Sequence, residues 1–369
     1  MRNFDEIVME KFDSISHFLQ SGNFEYRVYD MGRKVWEIPN AFFSQIENQQ
    51  QQYPYPFQQK AWLALLFWPK AKQNEAVIWF LQFPVDELGF LKQASRDAFL
   101  IDLLEQTGKN IQSKQSGKAI EDGLGESPFA FKPKEDRLAI FHAMATKVLG
   151  QKPSQHYQYA HDYLLPRQNG GPGLDQWQFL GLQGLADVVA RLSEDDNESL
   201  LVNAINDMPD VPLSSYSQAL ENIEISKALF TAFSGRISTE LNESGAKSEV
   251  KNEINVPLLT SLIRAISSYP TGEDKIQLLV EVLSHSISAE IEIIAAISGR
   301  SWVDLETARI RQLFIERLAQ QEQMAFSAIL ADLMMMPGMR ERILEEMRSE
   351  NRSAELTHKF GMFMQGVTE

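Results

Sequence analysis

The residues able to do chemistry in this 369-residue chain are few and scattered. Six histidines are present and no cysteine, so disulfides, thiolate ligands for zinc or iron-sulfur clusters and a thiol nucleophile are excluded together. His156 and His161 form the one local histidine pair. Five apart on a helix, they point about 140° away from each other, whereas helical metal pairs sit three or four apart. That spacing favours two polar side chains on a partly exposed surface over a metal site. The run Arg167-Gln168-Asn169-Gly170-Gly171-Pro172-Gly173 has the glycines of a phosphate loop. It lacks the Lys and Ser/Thr that follow them there, and no strand pattern precedes it, so it reads as a flexible connector. Ser-x-x-Lys and Gly-x-Ser-x-Gly patterns come without their required context. No catalytic residue, metal ligand or cofactor is assigned.

Two clusters suit contact better than catalysis. Tyr53 and Tyr55 alternate with Pro54 and Pro56, and proline fixes an extended backbone at little entropic cost. The two rings either fold back as a lid over a sheet or face a partner. Met334, Met335, Met336 and Met339 divide the same way, between helical spacing into a core and an adaptable partner surface.

The elements that must position these residues change character along the chain. Phe4, Ile7, Val8, Phe12, Ile15 and Leu19 recur at helical steps over residues 3–20. Residues 24–30 and 34–38 alternate with period two around Met31-Gly32-Arg33, which predicts a β-hairpin. A short helix follows at Phe42, Phe43 and Ile46. The apolar runs 61–68 and 76–83 predict a second strand pair, central in the sheet and covered on both faces, with Trp62 and Trp79 in the core. Helix returns over 88–104. Residues 1–108 are therefore expected to form an α+β domain, an antiparallel sheet of about four strands with helices. Residues 109–133, rich in Gly, Ser, Lys and Gln, are expected to be a linker.

From 134 to 369 one amphipathic helical segment follows another, which predicts a larger all-α domain. Segments ending near Pro209, Pro270 and Pro337, and the likeness of 229–236 to 293–300, suit either a HEAT-like repeat stack or an irregular helical bundle.

Tyr29-Asp30-Met31-Gly32-Arg33, Tyr53-Pro54-Tyr55-Pro56, Trp62, Phe67-Trp68, Ile78-Trp79-Phe80-Leu81, Pro84-Val85-Asp86-Glu87 and Arg96-Asp97-Ala98-Phe99 resemble the motifs of an uncharacterised proteobacterial family, domain of unknown function 3549. The resemblance is distinct over the first hundred residues and looser beyond them. It implies a bacterial cytoplasmic protein and assigns no activity and no site residue.

The formal charge of -15 is uneven. Residues 1–133 hold 14 basic against 17 acidic side chains, a net of -3, and 134–369 hold 21 against 33, a net of -12. Phosphate neutralisation needs clustered Lys and Arg, so no nucleic-acid partner is expected. An N-terminus that meets charge at once and the lack of any apolar run near 20 residues predict a cytoplasmic protein with no membrane span. The expectation is a non-enzymatic interaction protein that binds a protein partner. The alternative is an enzyme with a pocket at the junction of its two domains. The oligomeric state is not legible.

Overall fold

The computed structural model describes residues 12–112, 127–243 and 254–366. They fall into two compact units. Residues 12–112 and 127–134 with Met335–Pro337 make the first, and 135–243, 254–334 and 338–366 the second.

The first unit is built on a four-stranded antiparallel sheet in the order β2-β1-β3-β4, with β1 at Phe24–Asp30, β2 at Trp36–Ile38, β3 at Lys60–Pro69 and β4 at Val77–Pro84. Helices α1 (Ile15–Ser21), α2 (Asn40–Glu47) and α3 (Gln93–Gln112) accompany it. Ser14 caps α1 by accepting from the His17 amide. Residues 3–11 of the helix expected over 3–20 lie outside the described residues. Val28, Leu65, Trp79 and Leu81 line one sheet face and pack with Ile15, Leu19, Phe43, Ile46, Phe99 and Leu103 of the helices in one buried core.

Pairing corrects two expectations. The register sets Leu65 opposite Trp79 and Trp62 opposite Gln82, so Trp62 points away from the core face that Trp79 joins. Trp62 is half-buried, its indole N–H donating to the Phe57 carbonyl at 2.9 Å and its ring meeting Phe131 edge-on at 4.9 Å. A continuous apolar run hides this, because period two still divides its side chains between faces. Nor is β4 central: it ends the strand order, and its outer edge is met by residues 129–131. The Gln82 amide donates to the Phe129 carbonyl at 2.7 Å and the Phe131 amide to the Phe80 carbonyl at 3.1 Å. Thus 127–133 belong to the first unit and are not linker, and α3 runs past 108 to Gln112. Residues 113–126 lie outside the described residues.

In the second unit α4 (Glu135–Val148), α5 (Tyr157–Leu164), α6 (Leu182–Ala190), α7 (Asn197–Ala204), α8 (Asp210–Leu220), α9 (Lys227–Glu243), α10 (Val256–Ile266), α11 (Glu273–Ser284), α12 (Ile291–Arg300), α13 (Ala308–Ala319), α14 (Gln323–Met334), α15 (Met339–Glu346) and α16 (Ala354–Gly366) follow in turn. Helices two apart in the chain stack: α4 on α6, α6 on α8, α8 on α10, α10 on α12 and α12 on α14. A second row joins α5 to α7, α7 to α9 and α11 to α13, with α16 against α13. Segments 229–236 and 293–300 lie in α9 and α12, which belong to different rows, so their likeness reflects shared amphipathic patterning and not equivalent places. Helix α7 ends before Pro209, which then stands at the N-cap of α8, and Pro212 sits in the first turn of α8, where a missing N–H costs nothing.

Candidate functional site

In the first unit, two of the motifs that carry the resemblance meet in a buried polar construction. Asp30, at the end of β1, accepts from the backbone amides of Gly32, Arg33 and Lys34 at 3.1, 2.9 and 3.2 Å, which folds the turn back on its side chain. Tyr53, fully buried, donates its hydroxyl to Asp30 at 2.6 Å. Burial, and then the neighbouring Asp30 charge, push the Tyr53 hydroxyl far above its ordinary range. The Arg33 guanidinium donates to the Pro56 carbonyl at 2.9 Å. A Cβ on Gly32 would lie 2.9 Å from the Trp62 ring, so this turn needs glycine. Tyr53 therefore lies inside the unit, and its ring is not offered to a partner. Tyr55 is half-buried, edge-on to Tyr53 at 6.4 Å and to Trp36 at 6.0 Å.

The methionines are likewise mostly enclosed. Met336 and Met339 are buried, Met334 is half-buried at the end of α14, and Met335 packs partly buried within the first unit's core cluster. Met324, 84% exposed, escaped notice because it stands alone in sequence. His156 precedes α5 and is exposed, whereas His161 meets the Asn197 side chain at 3.0 Å, so the two do not converge. The stretch 167–173 opens with a 3-10 turn at Arg167–Asn169 and continues as irregular backbone, with Gly170 and Gly173 at positive φ and Arg167 paired with Asp175. Among the described residues no group of His, Asp or Glu is gathered as a metal site, and no helix is long and apolar enough to cross a membrane.

A cleft of about 370 Å³ opens in the second unit between α11, α13 and the α15–α16 connection. Arg309, Gln312, Leu313 and Glu316 of α13 line it, and their steps of three and four put them on one helical face. Val280, Leu313 and Leu356 supply apolar lining. Glu316 accepts from the Ser353 amide at 2.9 Å, and Glu346 pairs with Arg311 at 3.5 Å. Arg309 and Gln312 are exposed and make no hydrogen bond or ion pair among the described residues. Both carboxylates of the cleft are thus occupied while a guanidinium and an amide remain available. The sequence could not assemble it: the lining spans 280–356.

The fold is that of a two-unit chain, an α+β sheet domain followed by an all-α helical one. The chain belongs to the family described as Protein of unknown function (DUF3549), which it matches over residues 10–364. No curated protein and no solved structure matches it.

Proposed function

We propose that this chain is a non-enzymatic interaction protein of the bacterial cytoplasm, and that the α11–α13–α16 cleft holds a segment of a protein partner. The cleft carries the reading. It combines half-buried apolar side chains with an uncommitted Arg309 and Gln312, so the fitting segment has an apolar side chain beside an acidic one. The occupied Glu316 and Glu346 disfavour a second acidic group at their end, which gives the segment a direction. The proposal extends to a cytoplasmic location on the absence of cysteine.

A photo-crosslinking residue at Gln312 tests this. The expected result is a crosslink to one protein that is lost when Arg309→Glu is added and kept with Arg348→Glu, at an exposed position just after α15. Equal yields from Gln312 in the parent and the Arg309→Glu protein would overturn the assignment.

A further inference from the structure

The second unit buries a glutamate between two arginines. Glu221 follows α8, Arg264 lies in the last turn of α10 and Arg300 ends α12, so consecutive stacked helices bring the three together. Glu221 is 2% exposed, and it accepts the Nε–H of Arg264 at 2.6 Å and the Nε–H of Arg300 at 2.9 Å. Arg137 of α4 adds positive potential at Glu221, and Asp136 adds negative potential at Arg264. Two guanidiniums share one carboxylate, although one would neutralise it.

The way the arginines bind matters more than their number. Each uses Nε, and no terminal nitrogen of either arginine donates to Glu221. Arg300 donates one of them to the Gly299 carbonyl. Among the described residues the structure shows no hydrogen-bond acceptor for either terminal nitrogen of Arg264 or for the second of Arg300. These side chains are only 21% and 16% exposed, so their donors are partly withdrawn from water without protein partners in exchange. Helix C-termini carry partial negative charge that would oppose an anion. Here the carbonyls of Leu220 and Arg264 already accept from the Ser268 and Ser267 hydroxyls, at 3.0 and 2.5 Å.

We propose that Arg264 and Arg300, held in place by Glu221, form a binding site for a phosphate group. A phosphate offers at least three terminal oxygens and up to two charges, enough to engage one guanidinium from each helix while Glu221 keeps both Nε–H groups. A long polyanion is disfavoured by the -15 charge of the chain, so the ligand is a compact phosphate, free or carried on a small group. This site is independent of the α13 cleft, and its failure would leave that proposal standing.

The test is 31P NMR of inorganic phosphate and, separately, O-phosphoserine with the full chain at constant ionic strength. Broadening of the phosphate signal is expected, weakened about tenfold by Arg264→Gln and again by Arg300→Gln, but unchanged by Arg348→Gln. Tighter binding of O-phosphoserine would assign the source to a phosphorylated side chain, and equal binding to free phosphate. Should the arginine variants not fold, hydrogen exchange of the parent decides, with phosphate slowing the last turns of α10 and α12. Glu221→Gln gives a further reading that a merely structural pair would not: with its carboxylate gone, its melting point should rise more steeply with phosphate than the parent's. No broadening by the parent at millimolar phosphate, or equal broadening with both arginines replaced, overturns the site.

Discussion

Each unit buries a glutamate, and the two are held by opposite means. In the first, Glu47 at the end of α2 accepts from neutral donors only: the amides of Ile15 and Ser16 at 2.7 and 3.0 Å and the Ser16 hydroxyl at 2.5 Å. The nearby Arg96 donates to the Glu47 backbone carbonyl, and its ion pair is with Asp97. Burial therefore wins, and the Glu47 carboxyl is raised above its ordinary value despite those hydrogen bonds and the smaller opposing effect of the Arg96 charge. In the second unit burial pushes Glu221 upward too. Arg300, then the Arg264 hydrogen bond and charge, outweigh it, and the carboxyl ends below its ordinary value. Depth alone does not decide the sign. A formal positive charge within hydrogen-bond reach does.

Three measurements would break or sharpen that contrast. The largest effect is expected from Glu221→Ala, which leaves two arginines enclosed without their counter-charge and should cost about 3–5 kcal/mol in chemical denaturation. A loss under about 1 kcal/mol would mean that water already supports the arginines. Glu47→Ala should cost less, about 1–2 kcal/mol, because it strands neutral donors at the start of α1 while removing a carboxylate whose own burial is unfavourable. Hydrogen exchange should show the loss at Ile15 and Ser16. If Glu47→Ala proves the more damaging, the ranking by counter-charge fails.

The smallest effect is one of pH. Glu47 has a raised folded-state value, so the folded first unit holds its proton more tightly. Acidification from neutral pH through that raised value should add stability until the ordinary carboxylate value is reached. Glu221 has a lowered value, so its contribution is present above the ordinary value and is lost as pH falls through the folded one. Unfolding curves across this range should show the gain vanish in Glu47→Gln and the acid loss shrink in Glu221→Gln. The same pH profile in both variants would contradict the opposite signs.

What could be read from sequence was whatever recurs at short range. The strands at 24–30, 60–69 and 77–84 and most helices of the second unit announce themselves by period two or by steps of three and four. Residues 129–131 did not, since three residues set no period and their partner is β4, about 50 positions earlier. Helix α5, Tyr157–Leu164, carries Gln, His and Asp among its tyrosines, and α8 opens with a proline that resembles a stop. The Asp30–Tyr53 bond spans 23 positions, and Glu221 meets Arg300 across 79. Both depend on which helices and strands become neighbours, and that is decided by the core, not by local spacing. Trp62 and Trp79 show the limit within a legible element: the run predicted a strand, but only the register says which indole is inside.

The segment that meets β4 has an effect beyond its own few hydrogen bonds. A sheet ends in strands whose outer amides and carbonyls invite any extended chain to add on. At one end of this sheet the outermost strand, β2, is only three residues long. At the other, residues 129–131 occupy the middle of the β4 edge. An eight-residue strand as apolar as β4 would otherwise be a template for aggregation, so Phe129 to Phe131 act as a selvedge. Replacing Ala130 with proline would leave the Phe129 carbonyl and the Phe131 amide that bond β4 in place, whereas deleting the three residues would bare the β4 edge and turn it into a sticky one.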